Sequence, residues 1–263
     1  MTRELVAGGP ATNAAVTVAV LGGEAVLVTA VGSSPLEAVV RADLDRSDLS
    51  VVDVAAGDRE FGLNISSVVV VEGTGERSVV SMDAGTVDEA SAAVVAAAAS
   101  ADTAPDVVLL DGHYPAIAVA VAAEARTRRI PVVLDDGRWK PPFADLLPLV
   151  DEVVCSAAFT VPTGSAFADI ASYGHEAGAR VVAQTAGPGA IRLSLDGRLT
   201  TVEVPSIEAV DTLGAGDVLH GAYAFHRASG CEPEDALRRA AEVASFRCRF
   251  VGSRTWVEAW SDR

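Results

Sequence analysis

Short apolar runs that alternate with helix-length segments constrain this chain more than any other feature. Ala25–Val31, Val107–Leu110, Pro131–Leu134, Val153–Cys155 and Arg180–Gln184 read as strands. Leu36–Arg46, Ala116–Arg129 and a stretch near Phe167–His175 read as helices among them. Strands joined through helices run parallel, because a tight turn cannot return the chain to the same end of a sheet. Continuous Val/Ala/Leu runs also fit strands covered on both faces. The expected class is α/β with a mostly parallel central sheet. With 263 residues, half of them hydrophobic, the chain can build a large core. No repeat, charge block or linker-like tract divides it, so a single domain over 1–263 is expected.

Three segments depart from the alternation. Phe61–Val71 and Arg77–Met82 flank Glu72-Gly73-Thr74-Gly75 and read as a hairpin at about 59–83, either an edge extension of the sheet or a lid. Ala190–Leu195 and Thr200–Val204 around Asp196-Gly197 read as a second hairpin, followed by helices Asp217–Ala228 and Glu234–Arg249. Ala92–Ala101 is alanine-rich and reads as another helix.

Charge narrows the partners. A net charge of −16 repels nucleic acid and anionic lipid, which leaves a small molecule as the expected ligand. No segment reaches the roughly 18 apolar residues that span a bilayer. The start lacks a charged region followed by an apolar one, so a cytoplasmic protein is expected. Cys155, Cys231 and Cys248 lie too far apart for a zinc site and read as buried thiols. Lys140, the only lysine, closes no GxxxxGK[ST] box, so any phosphate must be held by backbone amides, arginine or a metal.

The most informative stretch is Asp211-Thr212-Leu213-Gly214-Ala215-Gly216-Asp217, a helix entrance. Free N–H groups of a first helical turn point outward with the positive end of the dipole and can hold an anion. Phosphoryl transfer needs such donors, a metal on the phosphates and a carboxylate near the attacking hydroxyl, and Asp217 is placed to supply the last. The bland alternative makes Asp217 a helix cap beside a glycine turn. Gly8-Gly9-Pro10-Ala11-Thr12-Asn13 opens another helix, where Asn13 offers a donor and an acceptor suited to sugar hydroxyls, or merely ends a helix. Thr185-Ala186-Gly187-Pro188-Gly189 follows a strand and either lines a nucleotide or makes an ordinary turn. None of these is a dinucleotide fingerprint, which disfavours NAD. His113 and the pair Asp135-Asp136 lie at strand ends where ligand contacts occur, although packed or solvated side chains are the simpler reading.

Gly8-Gly9-Pro10-Ala11-Thr12-Asn13 near the start and Asp211–Asp217 near the end together resemble the two signatures of the ribokinase-like, or PfkB-type, carbohydrate kinases. With Ala241-Glu242-Val243-Ala244 and Cys248, the second signature looks most like ketohexokinase and related ketose kinases. The resemblance covers the whole chain. It implies a three-layer α/β/α sandwich with a small β lid, and transfer of the ATP γ-phosphoryl group to a sugar hydroxyl with Mg²⁺ on the phosphates. Asp217 would be the base, and the amides of Gly214, Ala215 and Gly216 the anion hole. Gly8, Gly9, Asn13 and the lid residue Arg77 would hold the sugar; Thr185, Gly187 and Gly189 would line the nucleotide. Asp211 matches a position that some relatives use near a monovalent cation. In relatives the lid often builds a homodimer, which is the assembly expected here.

Three departures qualify that picture. The family usually starts with a core strand and an acidic sugar ligand ahead of its Gly-Gly motif, whereas here only seven residues precede Gly8, so that strand and acid are expected to be missing. Ser156-Ala157-Ala158-Phe159 stands where many members carry Asn-x-x-Glu, and Gly32-Ser33-Ser34-Pro35-Leu36-Glu37 lacks the acid usual after its glycine. The alternatives to a sugar kinase are a nucleoside or sugar-phosphate kinase and a non-catalytic nucleotide- or sugar-binding regulator.

Overall fold

A computed structural model describes residues 4–70, 77–81, 87–88 and 104–262. The chain begins with α1 (Pro10–Val20), β1 (Ala25–Thr29), α2 (Glu37–Leu44), β2 (Leu49–Asp53), β3 (Ser66–Val70) and β4 (Arg77–Ser81). It continues through β5 (Val108–Leu110), α3 (Pro115–Arg128), β6 (Val132–Asp136), the one-turn α4 (Phe143–Leu146), β7 (Glu152–Cys155) and α5 (Phe167–Ala177). It ends with β8 (Val181–Ala186), β9 (Gly189–Leu195), β10 (Arg198–Val202), α6 (Ala215–Ala228), α7 (Pro233–Arg247) and α8 (Thr255–Ser261). The class is α/β, as the alternation requires.

The main sheet has the order β10-β9-β8-β7-β6-β5, parallel from β5 to β8 and antiparallel at β9 and β10. Successive side chains of a strand point to opposite faces, and the register turns this into two cores. Leu134, Val153 and Val182 stand side by side on one face and pack with residues of α3, α4 and α5. Val154 and Ala183 occupy the other face and pack with Leu219, Ala222 and Tyr223 of α6 and Leu237 and Ala240 of α7. Helices therefore cover both faces. The hairpin of β9 and β10 turns at Asp196 (φ 48°) and Gly197 (φ 84°), the paired left-handed residues that suit a twisted two-residue turn.

Two parts sit apart from this sheet. Strands β1 and β2 pair with each other in parallel, Ala25 opposite Leu49, over a small core of Ala7, Leu27 and Leu44. Among the described residues they share no ladder with the six-stranded sheet. A cavity of about 2510 Å³ is lined by Val26 and Val28 of β1 and by Val108 and Leu109 of β5, and it runs on to Asp217. Strands β3 and β4 form an antiparallel pair, Ser66 opposite Ser81, that exposes Val68, Val69, Val79 and Val80. The turn expected at Glu72–Gly75, the end of that hairpin at Met82 and the helix expected at Ala92–Ala101 lie outside the described residues.

Helices α1 and α6 touch closely because Gly221 has no side chain. A Cβ there would lie 2.5 Å from the Ala14 carbonyl oxygen. The ammonium of Lys140 sits 5.7 Å over the Phe143 ring. Cys155 and Cys248 are buried and Cys231 is half-buried, where all three were expected inside.

Candidate active site

The contact at Gly221 holds the two glycine-rich helix entrances together. Gly9 (φ 106°) precedes α1 and Gly214 (φ 73°) precedes α6, both in backbone regions that glycine enters at little cost. Pro10 then starts α1, where its fixed φ fits and its missing N–H is no loss. The result is a direct bond between residues far apart in sequence: Asn13 Nδ2 donates to Asp217 Oδ2 at 2.6 Å. Asp111, just after β5, accepts from the Ala11 amide at 3.1 Å and ties the sheet edge to the same entrance.

In the first turn of α6 the Ala215 amide donates to Thr212 O at 3.2 Å. The amides of Gly214, Gly216 and Asp217 have no hydrogen-bond partner among the described residues, so the end of the helix dipole stays open to an anion. Burial pushes the Asp217 carboxyl above the ordinary carboxylate value; the bond from Asn13 opposes the rise, and the charge of Asp135 adds to it. Asp217 Oδ1 carries no hydrogen bond among the described residues.

Asp135 reaches this place because its register partner, Val154, lies on the α6 face of the sheet. There it forms a buried ion pair with His220, Nδ1 to Oδ2 at 3.1 Å, while His220 Nε2 faces the Val154 carbonyl oxygen at 2.9 Å. Burial works against a charged imidazole, but Asp135 and then Asp217 outweigh it and raise the His220 value. Its neighbour Asp136 is also buried, has one oxygen without a partner, and is pushed up to about 7, chiefly by burial.

Asp211 is placed differently. Its Oδ1 accepts from the Leu213 amide at 2.8 Å, its Oδ2 from the Gly252 amide at 3.0 Å, and the buried Arg247 lies 3.5 Å from Oδ2 and also bonds the Asp211 carbonyl. Burial opposes its charge, yet these donors outweigh it and hold the carboxyl below its usual value. Every carboxylate oxygen is occupied, so Asp211 anchors the loop that leads into α6.

Gly8, Gly9, Asn13, Asp211, Gly214 and Asp217 line the large cavity together. Thr185, Gly187 and Gly189 do not line it: Thr185 lies near the end of β8 with its hydroxyl 3.4 Å from the Cys155 carbonyl oxygen, Gly187 (φ 59°) is in the turn that follows, and Gly189 opens β9. Arg77 begins β4, and its side chain lies outside what the structure describes. Two residues absent from the sequence reading complete the site. Arg254 Nη1 donates to Asn13 Oδ1 at 2.8 Å, and Asp43, on α2, lies 3.4 Å from Arg254 Nη2. Nothing local marks either of them, since both act across long stretches of chain. Among the described residues no group of three or more His, Cys, Asp or Glu could hold a metal ion.

Known proteins place this geometry. A ribokinase from Arabidopsis thaliana is 28% identical over 158 residues, which is 56% of this chain but only 42% of that relative's length. The structure of Arabidopsis thaliana ribokinase complexed with ribose and ATP matches with a TM-score of 0.72 at 20% identity, over 100% of this chain and 89% of that one. A Burkholderia thailandensis nucleoside kinase in complex with inosine matches with a TM-score of 0.70 at 14% identity, over 97% and 85%. These likenesses give a ribokinase-like fold. The pfkB family carbohydrate kinase profile matches residues 1–260, and the chain belongs to that family.

Proposed function

We propose that this protein transfers the γ-phosphoryl group of ATP, delivered as its Mg²⁺ complex, to a hydroxyl of a sugar, with a ketose as the favoured acceptor. One observation carries the reading: a half-buried carboxylate, Asp217, sits in the first turn of a helix whose amides are open, at the wall of a large cavity. Phosphoryl transfer needs positioning and charge stabilisation more than covalent help. Asp217 Oδ2 is held by Asn13, which leaves Oδ1 to take the hydroxyl proton as the new O–P bond forms. A raised pKa makes the carboxylate a better proton acceptor at neutral pH. The amides of Gly214, Gly216 and Asp217 take up charge on the moving phosphoryl group, and Ala215 shares its amide with the turn.

Gly8 and Gly9, exposed at the cavity rim, offer bare backbone to the sugar, with Arg77 on β4 at the lid side. Thr185, Gly187 and Gly189 line the nucleotide at the carboxyl end of β8. The exposed valines of β3 and β4 support a homodimer built through that hairpin. The test is ADP release from ATP and Mg²⁺ with D-fructose, D-ribose, inosine or no acceptor. Acceptor-dependent ADP, fastest with a sugar, is expected; ADP formation indifferent to every acceptor overturns the reading.

A further inference from the structure

Asn13 has two polar ends, and both are engaged. Its Nδ2 donates to Asp217 and its Oδ1 accepts from Arg254. An amide can turn over about its last bond with almost no change of shape, so something must choose between its orientations. Arginine has only donors and an ionised carboxylate only acceptors. With Arg254 on one side and Asp217 on the other, a single orientation satisfies both, at 2.8 and 2.6 Å. The reversed amide would set oxygen against carboxylate and N–H against guanidinium.

We propose that Arg254 is a positioning residue for the reaction: by claiming Asn13 Oδ1 it aims Nδ2 at Asp217 Oδ2 and so keeps Asp217 Oδ1 turned to the acceptor hydroxyl. The proposal rests on the reading of Asp217 as base. Asn13 then serves the base rather than the sugar.

The guanidinium is itself fixed from three segments. Nη2 donates to the Ala7 carbonyl at 2.8 Å and lies 3.4 Å from Asp43 Oδ2, while Asp43 accepts from the Ala7 amide at 3.1 Å. Only 17% of the Arg254 side chain and 4% of that of Asp43 is exposed. A cation needed only to neutralise Asp43 would not have to divide its fork; here one arm goes to Asp43 and Ala7 and the other to Asn13. The remaining charged groups that face Asp217 are His220 on α6, Asp135 on β6 and Asp111 after β5. None of these contacts Arg254, so changes at Arg254 leave them in place.

Two variants separate positioning from folding. Arg254→Lys keeps a charge beside Asp43 and loses the fork. Arg254→Met combined with Asp43→Asn removes both buried charges at once and keeps an oxygen for the Ala7 amide. In both, kcat with the best acceptor of the panel above is expected to fall about 10- to 100-fold, as small misplacements of a reacting group do. The KM for ATP should stay within about twofold. The carbon-13 signal of the Asp217 carboxyl, assigned through Asp217→Asn, should titrate at higher pH once the Asn13 donor is no longer aimed. Unchanged kcat and an unmoved titration in either folded variant overturn the proposal, and so do losses of kcat and ATP affinity that merely follow Tm. The wild-type protein supplies a measurement free of variants: the Asn13 side-chain N–H signals must shift as Asp217 titrates, and indifference to it is equally fatal. Should Asp217→Asn keep wild-type turnover, the base reading fails; should it be inactive while both Arg254 variants run at full speed, only the positioning role fails.

Discussion

The loop that leads into α6 and the first turn of that helix each carry an aspartate, and the protein drives the two in opposite directions. Asp211 meets two backbone amides and Arg247, and its charge is secured. Asp217 meets one side-chain amide and is pushed toward its neutral form by burial and by Asp135. The same residue type is secured as an anion in one place and nudged toward its neutral form in the other, according to the donors around it.

The sharpest way to break that contrast is to swap each carboxylate for an amide. Asp217→Asn is expected to cost about 10³-fold in kcat, with the urea midpoint nearly unchanged, measured by coupled ADP release and by fluorescence unfolding. Asp211→Asn should do the reverse: it leaves Arg247 buried without its counter-charge and costs about 4 kcal/mol of stability, read from the same unfolding curves.

Acidity sharpens the contrast further. Asp211, with a depressed value, contributes stability above the usual carboxylate value and loses it as pH falls through its folded value. Asp136 accepts an amide bond from Arg138 at 3.0 Å and has the opposite sign. Its folded value of about 7 exceeds the unfolded 3.8, so its contribution is best at low pH and declines as pH rises between those limits. Asp136→Asn should therefore stabilise the protein by on the order of 3 kcal/mol at pH 8 and by almost nothing at pH 4, by urea unfolding at both. Activity should fall on the acid side at a pH above that of an ordinary carboxylate, because Asp217, as the proposed base, would have to be ionised to act. The smallest effect is mechanical. A methyl group at Gly221→Ala pushes α1 from α6 and should cost about 2 kcal/mol, lowering kcat while the Asp211 anchor stays whole.

Much of the fold was legible because strand and helix periods are local properties. The strands from β5 to β8 and helices α3, α5, α6 and α7 fall within a few residues of where the apolar runs put them. Strand β2, Leu-Ser-Val-Val-Asp, escaped because it is short and half-buried, and α8 because a seven-residue helix with one buried residue, Trp256 in its first turn, has no period to show. In the site, the two glycine entrances were readable, since glycine at a helix start has a backbone reason. The bond from Asn13 to Asp217 was not, because it joins residues 204 positions apart and Asn13 was read as a sugar ligand. Arg254 and Asp43 were beyond reach: one follows Gly-Ser in a loop and the other sits on a charged helix, and their meaning exists only after folding joins them. Asp135 was visible at a strand end, but its pairing with His220 was not, because their meeting depends on which face of β6 turns toward α6.

The ammonium poised over Phe143 belongs to the one side-chain amine in the protein. An amine-selective dye therefore has a single side-chain address, in the segment just beyond β6 and Asp136. Attached there, a fluorophore would report optically on what enters the carboxyl edge of the sheet, with no engineered thiol and no second lysine to compete.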